Sequence, residues 1–138
     1  MTLLDAYALI AFLVGGPAAP HVRGILREGD AAIATANLAE TLDVSQRLHG
    51  LAMPRAMEIL EPLFDGPLTA IALDLPTAQR AVEVRARHYH RSTCPISLAD
   101  AVLLATARPG DRLATADPDV LAVAPHEEIE PLALPEQG

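Results

Sequence analysis

The sequence predicts an α/β fold: a short central parallel sheet covered by helices on both faces, in three layers. Three observations carry this. Short, nearly all-apolar segments recur without the alternation of a half-exposed strand, for example Ala31-Ala32-Ile33-Ala34, the pattern of strands buried on both faces. Longer segments of helical length lie between them. Twelve prolines punctuate the chain, mostly between the apolar segments, where they end elements rather than interrupt them.

The elements follow in order. Met1–Asp5 reads as a buried strand and Ala6–Val14 as a helix stopped by Gly15, Gly16 and Pro17. His21–Glu28 is a second helix, and Ala31–Ala34 a small-residue strand. Leu38–His49 and Pro54–Phe64 are helices, and Thr69–Leu73 is a strand. Pro76–His90 is a long helix with its proline in the first turn, where the missing N–H costs nothing. Leu98–Ala107 is an apolar helix ended by Pro109 and Gly110. Arg112–Thr115 is a strand, a short turn follows from Asp117, and an edge strand is expected near Glu128–Leu132. In such sheets ligands bind beyond the carboxyl ends of the strands.

The 138 residues suit one domain, expected over 1–134 with a frayed tail at 135–138. Hydrophobic residues make up 51%, enough for a packed core. No apolar run has the length of a membrane span, and Leu3–Val14 contains Asp5 and lacks the basic lead of a signal peptide. A single cysteine, Cys94, forms no intrachain disulfide, which fits a reducing cytoplasm. The net charge of −8 argues against binding nucleic acid simply as a polycation. All ten basic residues are arginine. Without lysine, a Walker A loop and Schiff-base chemistry are both disfavoured.

Four acids stand alone in apolar company: Asp5, Glu40, Asp100 and Asp117. Each has a plain structural use. Asp5 and Asp117 fit helix N-caps, and Asn37-Leu-Ala-Glu40 and Ser97-Leu-Ala-Asp100 are spaced like capping boxes. Taken together they fit something else. In a parallel sheet the ends of the first and fourth strands, and the starts of the helices near Glu40 and Asp100, lie on one edge. Like charges brought within a few ångströms repel by about 1 kcal/mol or more per pair, and a divalent cation relieves this. An all-oxygen set favours a hard ion, Mg²⁺ or Mn²⁺. Asp5, Asp100 and Asp117 are then the expected metal ligands, with Glu40 orienting or deprotonating a water that attacks a phosphodiester. Ser97, Thr115 and Asp119 are accessory candidates.

The ordered set resembles the PIN-domain nucleases, in particular the VapC toxins of bacterial toxin–antitoxin pairs. The resemblance rests on Asp5-Ala-Tyr-Ala-Leu-Ile-Ala after the first strand, Asn37-Leu-Ala-Glu40, Ser97-Leu-Ala-Asp100-Ala-Val-Leu-Leu-Ala-Thr-Ala, and Leu113-Ala-Thr-Ala-Asp117. It spans nearly the whole chain. It implies a PIN-like α/β/α sandwich, Mg²⁺-dependent RNA cleavage with tRNA or rRNA as target, a homodimer, and a VapB-like antitoxin that blocks the site. The sequence departs from the pattern after the first aspartate, where Ala6 and Tyr7 stand in place of the Ser or Thr common in such toxins. Two other readings compete: a non-catalytic PIN-like binding module whose acids only cap helices, and a PIN nuclease of RNA maturation.

The segment 80–91 is locally basic, and Arg80, Arg87 and Arg91 share a face if it is helical throughout. They are candidates for RNA phosphate contact, set against a solvated helix end. His88, His90 and Cys94 lack the second ligand pair of a zinc motif. Aromatic residues are 3% of the chain, too few for a base-stacking platform. Leu26, Leu48, Leu51, Met53 and Met57 are either ordinary core or a surface for a second copy or an antitoxin.

Overall fold

The computed structural model describes residues 1–137. Its elements are β1 (Thr2–Leu4), α1 (Ala6–Val14), α2 (Ala19–Glu28), β2 (Ala31–Ala34), α3 (Thr35–His49), α4 (Met53–Phe64), β3 (Leu68–Ile71), α5 (Leu75–His88), α6 (Leu98–Thr106), β4 (Arg112–Thr115), α7 (Pro118–Val123), a 3-10 turn (Ala124–Glu127) and β5 (Glu130–Ala133). The strands form one sheet in the order β3-β2-β1-β4-β5. Every pairing is parallel, with Leu3 between Ala32 and Leu113. This is the three-layer arrangement the sequence predicts.

The layers follow from strand periodicity. Leu4 and Ile33 pack with Leu9, Val22 and Leu60 from α1, α2 and α4. Their neighbours Leu3 and Ala32 pack with Val84, Leu103 and Val120 from α5, α6 and α7. Successive side chains point to opposite faces, so an inner strand of three or four residues serves two cores and is buried along its length. Thr2, Leu3 and Leu4 are accordingly all buried. The two edge strands depart from this: β3 leaves Thr69 and Ala70 exposed, and β5 leaves Glu130, Pro131 and Ala133 exposed.

Helix starts are set by side chains next to the strand ends. Asp5, Asp74, Ser97 and Asp117 cap α1, α5, α6 and α7. Gly29 (φ 88°) and Gly50 (φ 68°) end α2 and α3 in the left-handed conformation that favours glycine.

Several elements differ from the sequence-based expectation; α2 begins at Ala19 instead of His21, and β3 spans Leu68–Ile71 instead of Thr69–Leu73. The third helix begins at Thr35, with Ala34 as an N-cap that makes no side-chain bond, instead of at Leu38. The strand passes straight into the helix, so the Asn37–Glu40 capping box does not form. The long helix ends at His88, and residues 90–94 form a turn closed by a His90–Cys94 bridge. The expected turn after Asp117 is a six-residue helix followed by a 3-10 turn, so the last strand starts at Glu130. Of the tail expected at 135–138, Pro135 accepts the Tyr7 hydroxyl through its carbonyl, and Gly138 lies outside the described residues. No single helix among the described residues is long and apolar enough to cross a membrane.

Candidate active site

Strands β1, β2 and β4 lie side by side and parallel, so the residues that follow them emerge on the same edge of the sheet. There an open cleft of about 290 Å³ is lined by Asp5, Ala6, Tyr7, Asn37, Glu40, Asp100, Ala116 and Asp117. All four isolated acids meet in it, and its walls include no basic residue.

Each aspartate is also anchored locally. Asp5 Oδ1 accepts the Ala8 N–H at 2.8 Å, and Oδ2 accepts the Thr115 hydroxyl at 2.5 Å. Thr115 in turn accepts the Asp117 N–H at 3.0 Å, so one hydroxyl ties the ends of β1 and β4 together. Asp117 Oδ1 accepts from the Asp119 and Val120 amides. Asp100 Oδ2 accepts the Ser97 N–H at 2.9 Å while Ser97 Oγ accepts the Asp100 N–H at 3.0 Å, a complete capping box. Capping and convergence therefore coexist. Asp100 and Asp117 each commit one oxygen to a helix start. The other has no intrachain hydrogen bond among the described residues.

The electrostatics record the crowding. Burial raises the Asp5 carboxyl from 3.8 to about 6, against the lowering effect of its Thr115 and Ala8 hydrogen bonds, and the charges of Asp100 and Glu40 push it further up. Burial raises Asp100, countered by its bonds to Ser97 and reinforced by Asp117 and Asp119. Glu40 is raised by burial, then by Asp100 and Asp43. Burial, with a smaller share from the neighbouring acids, thus disfavours the negative charges of the site.

The donor set fits a hard divalent ion. It comprises carboxylates and the Asn37 carboxamide, whose buried Oδ1 has no hydrogen-bond partner. Among the described residues no three acidic, His or Cys side chains stand close enough to form a ready-made cage.

The other predicted residues separate. Ser97 and Thr115 hold Asp100 and Asp5, and Asp119 stands in the first turn of α7, close enough to affect Asp100. Arg80 and Arg87 line a second cleft of about 460 Å³ at the far end of α6, with Arg108 and Glu127. There Arg80 donates to the Ala105 carbonyl and Arg87 pairs with Glu127 at 2.7 Å. Arg91 is exposed in the turn after α5 and lines neither cleft. His88 bonds Glu127, and His90 accepts from Ser92 and Thr93, so neither pairs with Cys94 as a metal ligand. Leu26 belongs to the core and Met57 packs against it, whereas Leu48 and Met53 are exposed. Tyr7 also lines the cleft, and its hydroxyl donates to the Pro135 carbonyl. Sequence reasoning missed Asn37. Its one signal, the spacing to Glu40, reads equally well as a capping box.

No curated protein matches the chain in sequence. Its fold is similar to that of several solved structures. FitAcB from Neisseria gonorrhoeae is 26% identical, with a TM-score of 0.67 over 95% of this chain and 96% of that one. DNA-bound VapBC from Salmonella typhimurium is 21% identical, with a TM-score of 0.70 over 94% and 96%. VapC20 of Mycobacterium tuberculosis, a toxin that cleaves the sarcin–ricin loop, is 17% identical, with a TM-score of 0.70 over 88% and 94%. The PIN-domain family model matches residues 2–125, a span that takes in all four acids of the cleft. The chain belongs to the PIN-domain family.

Proposed function

We propose that this PIN domain is the endoribonuclease toxin of a toxin–antitoxin pair, hydrolysing RNA with Mg²⁺, or Mn²⁺ in its place. The observation that carries the reading is the meeting of Asp5, Glu40, Asp100 and Asp117 in one cleft without a compensating base. The chain's fold is shared with structures described as VapBC and as an RNA-cleaving toxin, which supports the same reading.

Asp5, Asp100 and Asp117 are the residues we assign to hold the ion. When bound, it would neutralise charge on the phosphoryl oxygens and lower the pKa of a water. Glu40 is the base: its carboxyl is raised above the ordinary range, which strengthens its hold on a proton taken from the attacking water. Thr115 and Ser97 fix Asp5 and Asp100, so the carboxylates keep their positions as substrate enters. The net charge of −8 gives the substrate's phosphates no general attraction to the chain, so their binding would rest on the cleft itself.

Further parts of the reading concern partners and setting. An apolar groove of Phe12, Leu26 and Leu63, flanked by Arg23 and Arg27, suits an apolar, acidic segment of a VapB-like antitoxin. Exposed Val82, Tyr89 and Leu98 supply an apolar patch for a second copy in a homodimer. The working place is the cytoplasm.

The test is RNA cleavage. Purified chain with Mg²⁺ or Mn²⁺ is expected to produce discrete ends in tRNA or rRNA. Asp5→Asn and Asp100→Asn should each cut the rate by about 10² or more. Intact RNA across both metals, with no growth arrest on expression, would refute the nuclease. The non-catalytic binding module would then stand.

A further inference from the structure

Apart from Tyr7, whose hydroxyl is bonded to the Pro135 carbonyl, Asn37 is the one polar side chain lining the carboxylate cleft to which the proposed mechanism gives no role. It lies in the first turn of α3, one turn before Glu40. It is 2% exposed, it lines the cleft, and its Oδ1 has no hydrogen-bond partner. A buried acceptor left unpaired is costly and calls for an explanation. Ser45 Oγ is also unpaired, but it lies two turns further along α3 and does not line the cleft.

The cleft itself supplies Asn37 with nothing. Its neighbours Asp5, Glu40, Asp100 and Asp117 are acceptors when ionised. The two hydroxyls at hand are spent, Tyr7 on the Pro135 carbonyl and Thr115 on Asp5. The partner of Oδ1 must therefore come from outside the chain and carry positive charge or a proton to donate. A dication meets its oxygen ligands at about 2.1 Å, whereas a hydroxyl oxygen stays near 2.8 Å. For an oxygen this deeply buried, the small ion is the better fit.

We infer that Asn37 Oδ1 is a ligand of the divalent cation held among Asp5, Glu40, Asp100 and Asp117. The inference rests on the reading of this cleft as a cation site and adds to it a neutral donor. A carboxamide contributes an oxygen without a further negative charge among four acids. Asn37 and Glu40 stand one turn apart on the same helix, so both would be presented to the cleft by α3.

Calorimetric titration of Mn²⁺ into the full chain, free of RNA, decides the matter. Wild type should bind, and Asn37→Leu, similar in volume but lacking the oxygen, should weaken binding about tenfold or more. Ser45→Ala should bind as wild type does. Asn37→Leu with an affinity unchanged from wild type would overturn the inference, and the partner of Oδ1 would then be a substrate hydroxyl. Should Asn37→Leu fail to fold, Asn37→Asp carries the test: its anionic oxygen should tighten Mn²⁺ binding severalfold, and an unchanged affinity would overturn the inference. Failure of wild type itself to take up Mn²⁺ would refute the cation site and this inference together. Binding by wild type that Asp100→Asn loses and Asn37→Leu keeps would refute this inference alone.

Discussion

Both oxygens of Asp5 are engaged, one by an amide and one by a hydroxyl, yet its carboxyl still titrates near 6. Two good hydrogen bonds do not offset burial beside other acids. This has a measurable sign. The folded chain keeps the Asp5 proton up to about pH 6, while the unfolded chain releases it near 3.8. Between those values the folded state binds more protons, so stability falls as pH rises. The shift corresponds to a loss on the order of 3 kcal/mol, complete above about pH 6. Urea midpoints of the metal-free chain should show it as a gap to Asp5→Asn that is small near pH 4 and widens to neutrality. A constant gap would mean that Asp5 is ionised throughout.

Among elements, α6 shows how a local rule delivers a side chain to the cleft. Ser97 and Asp100 cap the helix reciprocally, and the same bond that satisfies the Ser97 amide fixes Asp100 at the cleft wall. Ser97→Ala should destabilise the fold by about 1 kcal/mol. It should also lower cleavage beyond what that loss explains, because Asp100 loses the hydroxyl that holds its amide in place. Denaturation and initial-rate measurements on one preparation separate the two effects. An unchanged rate would assign Ser97 to stability alone. This element was legible because its cap, its apolar run and its proline stop all agree. The start of α3 was not: Ala34-Thr35-Ala36 carries no cap signal, so nothing in the chain marks where β2 becomes helix. The misplaced start is what hid Asn37. Helix α7 was hidden by its length, since six residues opening with Asp-Pro look the same as a turn. The arginines teach a different lesson. Arg80 and Arg87 do share one side of α5, but the side chosen depends on how α5 packs on α6, which periodicity does not report.

At the scale of the molecule, five short strands put the four isolated carboxylates on one edge and leave the opposite edge to a separate arginine-lined cleft. A ligand that neutralises the acidic edge should stabilise the whole chain, because the repulsion there is borne by the fold. At a Mg²⁺ concentration about 100 times its dissociation constant, the gain should be about 2.7 kcal/mol, read as a rise in melting temperature that EDTA reverses. Asp100→Asn should show little of this rise. Equal responses in the two proteins would place the bound Mg²⁺ elsewhere.

The hydroxyl of Thr115 reaches Asp5 across 110 positions of sequence, and the first strand is flanked by the second and the fourth. On a ribosome, Asp5 must wait for 110 further residues before its neighbour on that side arrives. Until then Asp5 has no hydroxyl partner and Asp117 has not been joined to the set. On the proposed reading, the nascent toxin is inert until the fourth strand and Asp117 have emerged to complete the cleft.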